Sequence, residues 1–196
     1  MHYLKTLASS ALFRATAIAF VVTMGAVAAT PSFAERTVTV GGAPMYPSKN
    51  IIENAVNSKE HTTLVAAVKA AGLVDTLSGK GPFTVFAPVN EALDKLPAGT
   101  VPMLLKPENK GKLTDILTYH VVPGRLTAQD LWSMVDKGGG TAELKTAKGQ
   151  SLWIKRVNDK HLAVWDAHGH AGRITISDVM QSNGVIHVID NVVQPN

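Results

Sequence analysis

The side chains of this chain best suited to chemistry are histidines, because it has seven of them and no cysteine. His168-Gly169-His170 places two imidazoles on one side of an extended backbone, with Asp166 and His161 close in sequence, a nitrogen-rich set of the kind that holds zinc or copper. The stretch 167–172 also carries Gly169 and Gly172, and that composition favours a solvated loop, so no metal ligand is expected there. His187 sits inside an apolar run, and His120 follows Tyr119 at a helix-to-strand junction. A buried imidazole or phenol needs a hydrogen-bond partner, so both histidines are expected to staple strands to neighbouring backbone or to a side chain such as Asn90. Catalysis would need a nucleophile or electrophile beside them, and the sequence suggests none.

Other reactive patterns fail on spacing. Ser78-Gly79-Lys80-Gly81 looks faintly like a phosphate loop, which needs a glycine five residues before the lysine and Ser or Thr after it; those places hold Asp75 and Gly81. The chain has no Gly-x-Ser-x-Gly elbow, no His-Glu-x-x-His helix and no calcium loop, and no pair of carboxylates stands out. The expectation is a protein that is not an enzyme, with no catalytic residue, cofactor or metal.

Phe83 to Ala87 is a β-branched and aromatic run that reads as a buried strand stopped by Pro88. Asn90 is expected to cap a short helix through Leu96, which Pro97 ends. Near the C-terminus the Ser182-Asn183-Gly184 turn feeds a strand from Val185 to Val193. Ile186, Val188 and Val192 share one of its faces and Val185, Ile189 and Val193 the other, so the strand belongs in the middle of the fold. Ser48 or Asn50 starts a short helix through Val56, and Thr62 or Thr63 caps a second holding Leu64, Val65, Val68 and Ala71, which Gly72 ends. Leu113 to Tyr119 is helical, and Thr127 caps a helix with Leu131, Trp132 and Val135. After Gly138-Gly139-Gly140 the texture becomes strand-like: Ser151 to Val157 and His161 to Asp166 form a hairpin about Asn158-Asp159-Lys160, with Arg173 to Ser177 a further strand. Helices first and antiparallel strands after argue an α+β fold.

Composition bounds the class. Lys5 and Arg14 precede an apolar run from Ala15 to Ala29, and Ser32-Phe33-Ala34 forms a small-x-small cleavage site, so residues 1–34 read as a secretory signal peptide. That run is shorter than the ~20 residues of a spanning helix, and no membrane span is expected in the mature chain. Removing Lys5 and Arg14 takes away two cations and no anion, so the formal charge of +4 becomes +2. The remaining cations are scattered, with no basic run, which argues against nucleic acid. Without cysteine the exported domain has to be stable without disulfides.

Three segments, TVFAPVNEAL (84–93), LTDILTYHVVPG (113–124) and NGVIHVIDNVVQP (183–195), together resemble the two signature boxes and central Tyr-His segment of the fasciclin-like (FAS1) domain family. The resemblance implies a FAS1 wedge, a twisted antiparallel β-sandwich or open barrel flanked by short helices, over residues 50–196, behind an irregular lead-in at 35–49. The family is one of extracellular adhesion and interaction modules, and two contact patches carry over from it. Tyr119-His120 matches the segment that animal members are thought to use toward integrins, and Asp178-Val179-Met180 resembles the Asp-Ile-Met core of a second motif, with Ser177 in place of proline and Val179 in place of isoleucine.

The resulting expectation is a periplasmic or extracellular adhesion module whose partner is an extracellular protein, a polysaccharide or a cell surface. The alternative is a carrier that shields an apolar small molecule in a cleft between helices and sheet, lined by Trp132, Trp153 and Trp165.

Overall fold

The computed structural model describes residues 37–196, so the signal peptide expected at 1–34 lies outside the described residues. The described chain runs β1 (Val38–Val40), β2 (Ala43–Met45), α1 (Ile51–Ala55), α2 (Thr62–Ala71), α3 (Val74–Ser78), β3 (Phe83–Pro88), α4 (Asn90–Asp94), α5 (Thr100–Leu104), α6 (Lys110–Tyr119), β4 (Val121–Pro123), α7 (Ala128–Lys137), β5 (Thr141–Lys145), β6 (Ser151–Asn158), β7 (His161–Trp165), β8 (Ala171–Gln181) and β9 (Gly184–Ile189). A 3-10 turn at Pro107–Asn109 joins α5 to α6.

Of the stretch 35–49, expected as an irregular lead-in, the described residues 37–49 instead carry the β1–β2 hairpin. Gly41 and Gly42 both take positive φ (57° and 77°), the conformation that a two-residue hairpin turn demands. This turn aims Val40 and Met45 into the core.

Seven strands form one sheet in the order β4-β3-β9-β8-β7-β6-β5. The Ala147 N–H donates to Val121 O (2.7 Å) and the Lys148 N–H to Thr118 O (3.3 Å), so the chain just past β5 is tied back to the β4 end and the sheet is nearly a closed barrel. Neighbours are antiparallel except β3 and β9, which run parallel from Phe83 opposite Gly184 to Pro88 opposite Ile189. All six residues of β9 are buried, as a strand apolar on both faces requires. A Cβ on Gly184 would collide with the carbonyl of Phe83, which explains glycine at the start of this strand.

The sheet separates two cores. On one side Val85, Ile186 and Val188 meet Val40, Met45, Val68, Leu77, Leu113 and Leu117 from the hairpin and the helices before β4. On the other, Phe86, Leu152, Ile154, Val164, Ile189 and Val193 close over Leu131 and Val135 of α7.

Helix starts explain how these pieces are held. Asn50 caps α1 and Thr127 caps α7, each through a reciprocal capping box, with Glu53 and with Asp130. Asn90 behaves differently from the expectation, since α4 begins without a side-chain cap. As the first residue of α4 its amide faces α2: Oδ1 accepts from the Thr63 N–H (3.1 Å) and Nδ2 donates to Lys59 O (2.9 Å). It therefore caps α2, whose own N-cap residue, His61, makes no such bond.

Candidate functional site

The Tyr-His segment lies at the end of α6, where the chain turns into β4, and both side chains point inward. Tyr119 is 1% and His120 3% exposed. The Tyr119 hydroxyl donates to Ser151 O (2.8 Å); burial first, then the nearby Asp166 carboxylate, pushes its pKa up to about 12. His120 Nδ1 lies 2.9 Å from Ile116 O, so it carries the proton and donates there, which leaves Nε2 to accept from the Val193 N–H (3.4 Å). Burial lowers the pKa of this imidazole.

His187 repeats this arrangement from β9. Its Nε2–H donates to Leu126 O (2.8 Å), its Nδ1 accepts from the Asp178 N–H (3.4 Å), and its ring stacks on Phe86. Burial lowers its pKa too, against the Leu126 carbonyl and the Asp178 charge. Both histidines are neutral staples between backbone segments, and with both nitrogens engaged neither is free to move a proton for catalysis. Neither reaches a side chain such as Asn90.

Asp178, which follows the strand expected from Arg173 to Ser177, lies within β8 and is half-buried. It occupies an irregularity in the β8–β9 register with φ 57°, a conformation that Asp tolerates better than most residues. This turns its carboxylate toward α7, where Oδ1 accepts from the Ala128 N–H (2.7 Å). Val179, 1% exposed, packs in the helix-side core. In the folded molecule Tyr119, His120 and Val179 thus offer almost no side-chain surface to a partner.

The His168/His170 loop is exposed, in line with its glycines. Its organiser is the buried carboxylate of Asp166, which accepts from the His168 N–H, the His170 N–H, His170 Nδ1 and the Gln194 N–H at 2.8–2.9 Å. Burial opposes the charge on Asp166, but the bonds from Gln194 and His170 outweigh it and leave its pKa lowered. His161 stands at the far end of β7, bonded to Asn158, so the four groups do not converge. Among the described residues no group of three His, Asp or Glu is placed to hold a metal.

Two apolar spaces lie on the helix side. The inner one, about 60 Å³, is enclosed by the β1–β2 hairpin, α1–α3 and the sheet. His61 lines it: Nδ1 meets Ser58 Oγ at 2.9 Å, and Nε2 is buried with no partner in hydrogen-bonding geometry. Burial lowers its pKa, opposed by the Ala87 backbone and by Glu60. Ser58 and His61 are both buried, so this pair is closed to a substrate. The outer space is a groove of about 290 Å³ between α2, α4, α5 and α6, walled by Leu93, Val101, Leu104, Leu113 and Ile116. Leu64, Leu117 and His120 border both spaces. None of the three tryptophans lines either one; Trp132 borders a shallow depression with Lys160, His161 and Ser177, under the stacked guanidinium of Arg156.

The other two tryptophans stand on the outward face of the barrel. Trp153 of β6 lies directly opposite Trp165 of β7 in antiparallel register, while Leu152, Ile154 and Val164, of opposite parity, are buried inside. Lys155 lies over the Trp165 ring (4.7 Å to its centre). Lys145 and Arg173 flank the pair on β5 and β8, with Glu143 opposite Trp153.

Residues 59–195 match the family model described as the Fasciclin domain. The chain belongs to the fasciclin (FAS1) domain family. Protein sll1483 of Synechocystis sp. is 47% identical over 161 residues, 82% of this chain and 82% of its own. The transforming growth factor-beta-induced protein ig-h3 of Oryctolagus cuniculus is 34% identical over 149 residues, 76% of this chain but only 20% of that longer protein. Among solved structures, a FAS1 domain pair from the insect cell adhesion molecule fasciclin I superposes with a TM-score of 0.67 at 18% identity, over 81% of this chain and 58% of that one.

Within this FAS1 fold, the residues that sequence reading underrated are asparagines. Asn183 accepts from the Ile51 N–H (3.0 Å) and donates to Leu77 O (2.8 Å) and Gly79 O (2.9 Å), buckling α1 and the end of α3 onto β9. Asn54 bonds Tyr46 on both its N–H and its carbonyl, and also Gln181. The asparagines in the two signature boxes, Asn90 and Asn183, carried the signal, but sequence spacing alone does not reveal partners 27 and 132 residues away.

Proposed function

We propose that this FAS1 domain is an exported, non-enzymatic surface-interaction module that engages an extracellular protein, a polysaccharide or a cell surface through the outward face of β5–β8. The observation that carries this reading is the cross-strand pair Trp153/Trp165 flanked by Lys145, Lys155 and Arg173. Tryptophan and arginine are enriched among the residues that dominate contact surfaces, and here the sheet sets two tryptophans directly opposite each other without help from a loop; the lysines add positive charge that suits an anionic partner. Adhesion is also what membership of this family implies. Of the positions carried over from it, Asp178 and Met180 are part-exposed, while Tyr119, His120 and Val179 support the fold beneath.

Export rests on the small residues Ser32 and Ala34, which place the mature N-terminus at Glu35. Among the described residues no helix is long and apolar enough to cross a membrane. Periplasmic or extracellular residence follows from this reading, and the intact mass of the exported protein tests it.

The test of the contact face is attachment of purified protein to host-derived cells and surface polysaccharide. A Trp153→Ser, Lys155→Glu double variant with unchanged far-ultraviolet circular dichroism is expected to lose attachment at least tenfold. Full attachment by the folded variant would reject this face. A second reading, an apolar-ligand carrier, is favoured by the helix-side groove, whose walls are aliphatic rather than aromatic.

A further inference from the structure

We propose that the groove between α2, α4, α5 and α6 binds an aliphatic monocarboxylate of about ten chain carbons, with its carboxylate at Lys112. This rests on the carrier reading and assigns it a ligand class. The first ground is the pattern of polarity along the groove. Its walls are Leu93, Val101, Leu104, Leu113 and Ile116, and Lys112 is the one lining residue with a permanent charge. Lys112 is exposed on α6 and makes no ion pair among the described residues. Its apolar stem can lie along the wall while the ammonium stays at the water-facing mouth.

The second ground is the floor. His120 and Leu117 border the groove toward the inner cavity, and both nitrogens of His120 are already committed to Ile116 O and the Val193 N–H. The imidazole therefore has no spare donor or acceptor for a guest. A polar group set against the imidazole would go unpaired, so the part of a ligand on this floor is hydrocarbon; the other polar lining residues, Thr63, Thr100 and Gln194, carry no charge, so the carboxylate sits at Lys112.

Size supplies the third ground. A methylene takes about the room of one water, whose share of the liquid is about 30 Å³, so a groove of about 290 Å³ holds a chain on the order of ten carbons. The wall helices α4 and α5 are five residues each and lack side-chain caps, which lets them adjust around a flexible chain more readily than around a rigid ring.

The test titrates the full mature protein with hexanoate, octanoate, decanoate, dodecanoate and 1-decanol, each below its micelle or solubility limit, by calorimetry and by methyl NMR. Saturable one-to-one binding is expected, tightening roughly fourfold per methylene and levelling near ten to twelve carbons. Methyl shifts should fall at Val101, Leu104 and Ile116 and spare Leu131 and Ile154. Lys112→Ala should weaken decanoate by up to about fivefold, the upper end for an exposed ion pair, and leave 1-decanol unchanged. If neither decanoate nor 1-decanol saturates the protein, this proposal and the carrier reading fall together. If 1-decanol binds as tightly as decanoate and Lys112→Ala changes neither, the carboxylate assignment falls and the carrier reading stands. Shifts confined to the core beneath α7 would overturn the assignment to this groove.

Discussion

The two sides of β9 are built by different means. Toward α7, Leu131, Val135, Leu152, Ile154, Val164, Ile189 and Val193 are all fully buried, under one capped ten-residue helix laid on the sheet. Toward the N-terminal half, the five-residue helices α1, α3, α4 and α5, together with the longer α2 and α6, surround two apolar spaces. Helices this short are unstable alone, and here Asn54, Asn90 and Asn183 stitch them to distant backbone. Close packing holds the first side, and polar ties hold a looser second side that leaves room for a guest.

The largest effects should separate the two sides directly. Ile154→Ala deletes fully buried atoms in the tight core and is expected to cost about 4–5 kcal/mol, the upper part of the range for such changes. Leu104→Ala removes a side chain that already faces the groove on one side, makes fewer contacts, and should cost about 2 kcal/mol. Urea unfolding of both variants measures the difference. Equal losses would break the contrast between the cores.

Acid should sharpen it next. His61, His120 and His187 are buried with pKa values lowered from the ordinary 6.5. The unfolded chain therefore takes up their protons first, so their contribution is fully present above pH 6.5 and is lost as pH falls from there toward the lowered values. Each proton adds at most about 1.4 kcal/mol per pH unit to the slope, so about 4 kcal/mol per unit is the ceiling for the three together. Asp166 acts lower: its pKa is lowered from 3.8, so its contribution is complete above that value and disappears as pH falls through the lowered one. Unfolding free energies at pH 7.5, 6.5 and 5.5 test the histidine part. A flat profile would mean that the imidazoles titrate as exposed groups.

Legibility in the sequence follows the same division. The hairpin about Asn158-Asp159-Lys160, the cap at Thr127 and the central position of the last strand were all readable, because alternation and local capping are encoded within a few residues. The β1–β2 hairpin was not, since three-residue strands carry too short a pattern. Asn90 was assigned to its own helix because a cap is read locally, whereas its partners come from α2 and the turn before it. Tyr119, His120 and Val179 were expected at a contact surface through family resemblance; burial of such side chains is a tertiary fact with no local signature. The cleft expected to be lined by Trp132, Trp153 and Trp165 holds none of them, and strand parity in the folded sheet turns Trp153 and Trp165 outward.

His187 is where the two sides touch, since its strand neighbours Ile186 and Val188 belong to one core and Ile189 to the other. His187→Ala leaves a cavity beside Phe86 and unpairs Leu126 O and the Asp178 N–H, at a cost of roughly 2–4 kcal/mol. The loss should appear in denaturant unfolding before any change in attachment. A His187→Ala protein as stable as the parent would remove the stapling role.

The smallest effect belongs to Asp178, and it decides whether a contact residue can be told from a structural one. Asp178→Ala loses the bond from the Ala128 N–H at the start of α7 and puts alanine at φ 57°. The first loss resembles removal of a helix cap, about 1 kcal/mol, and the second adds about 1 kcal/mol of backbone cost, for roughly 2 kcal/mol in all. Asp178→Gly relieves the backbone and should cost about 1 kcal/mol. Asp178→Asn keeps both an acceptor oxygen and tolerance of positive φ, so it should stay within about 0.5 kcal/mol of the parent. Because alanine changes fold and charge together, weaker attachment by Asp178→Ala cannot separate them, but Asp178→Asn can. Full attachment by the asparagine variant assigns Asp178 to the architecture of α7, and lost attachment at unchanged stability restores its carboxylate as a contact.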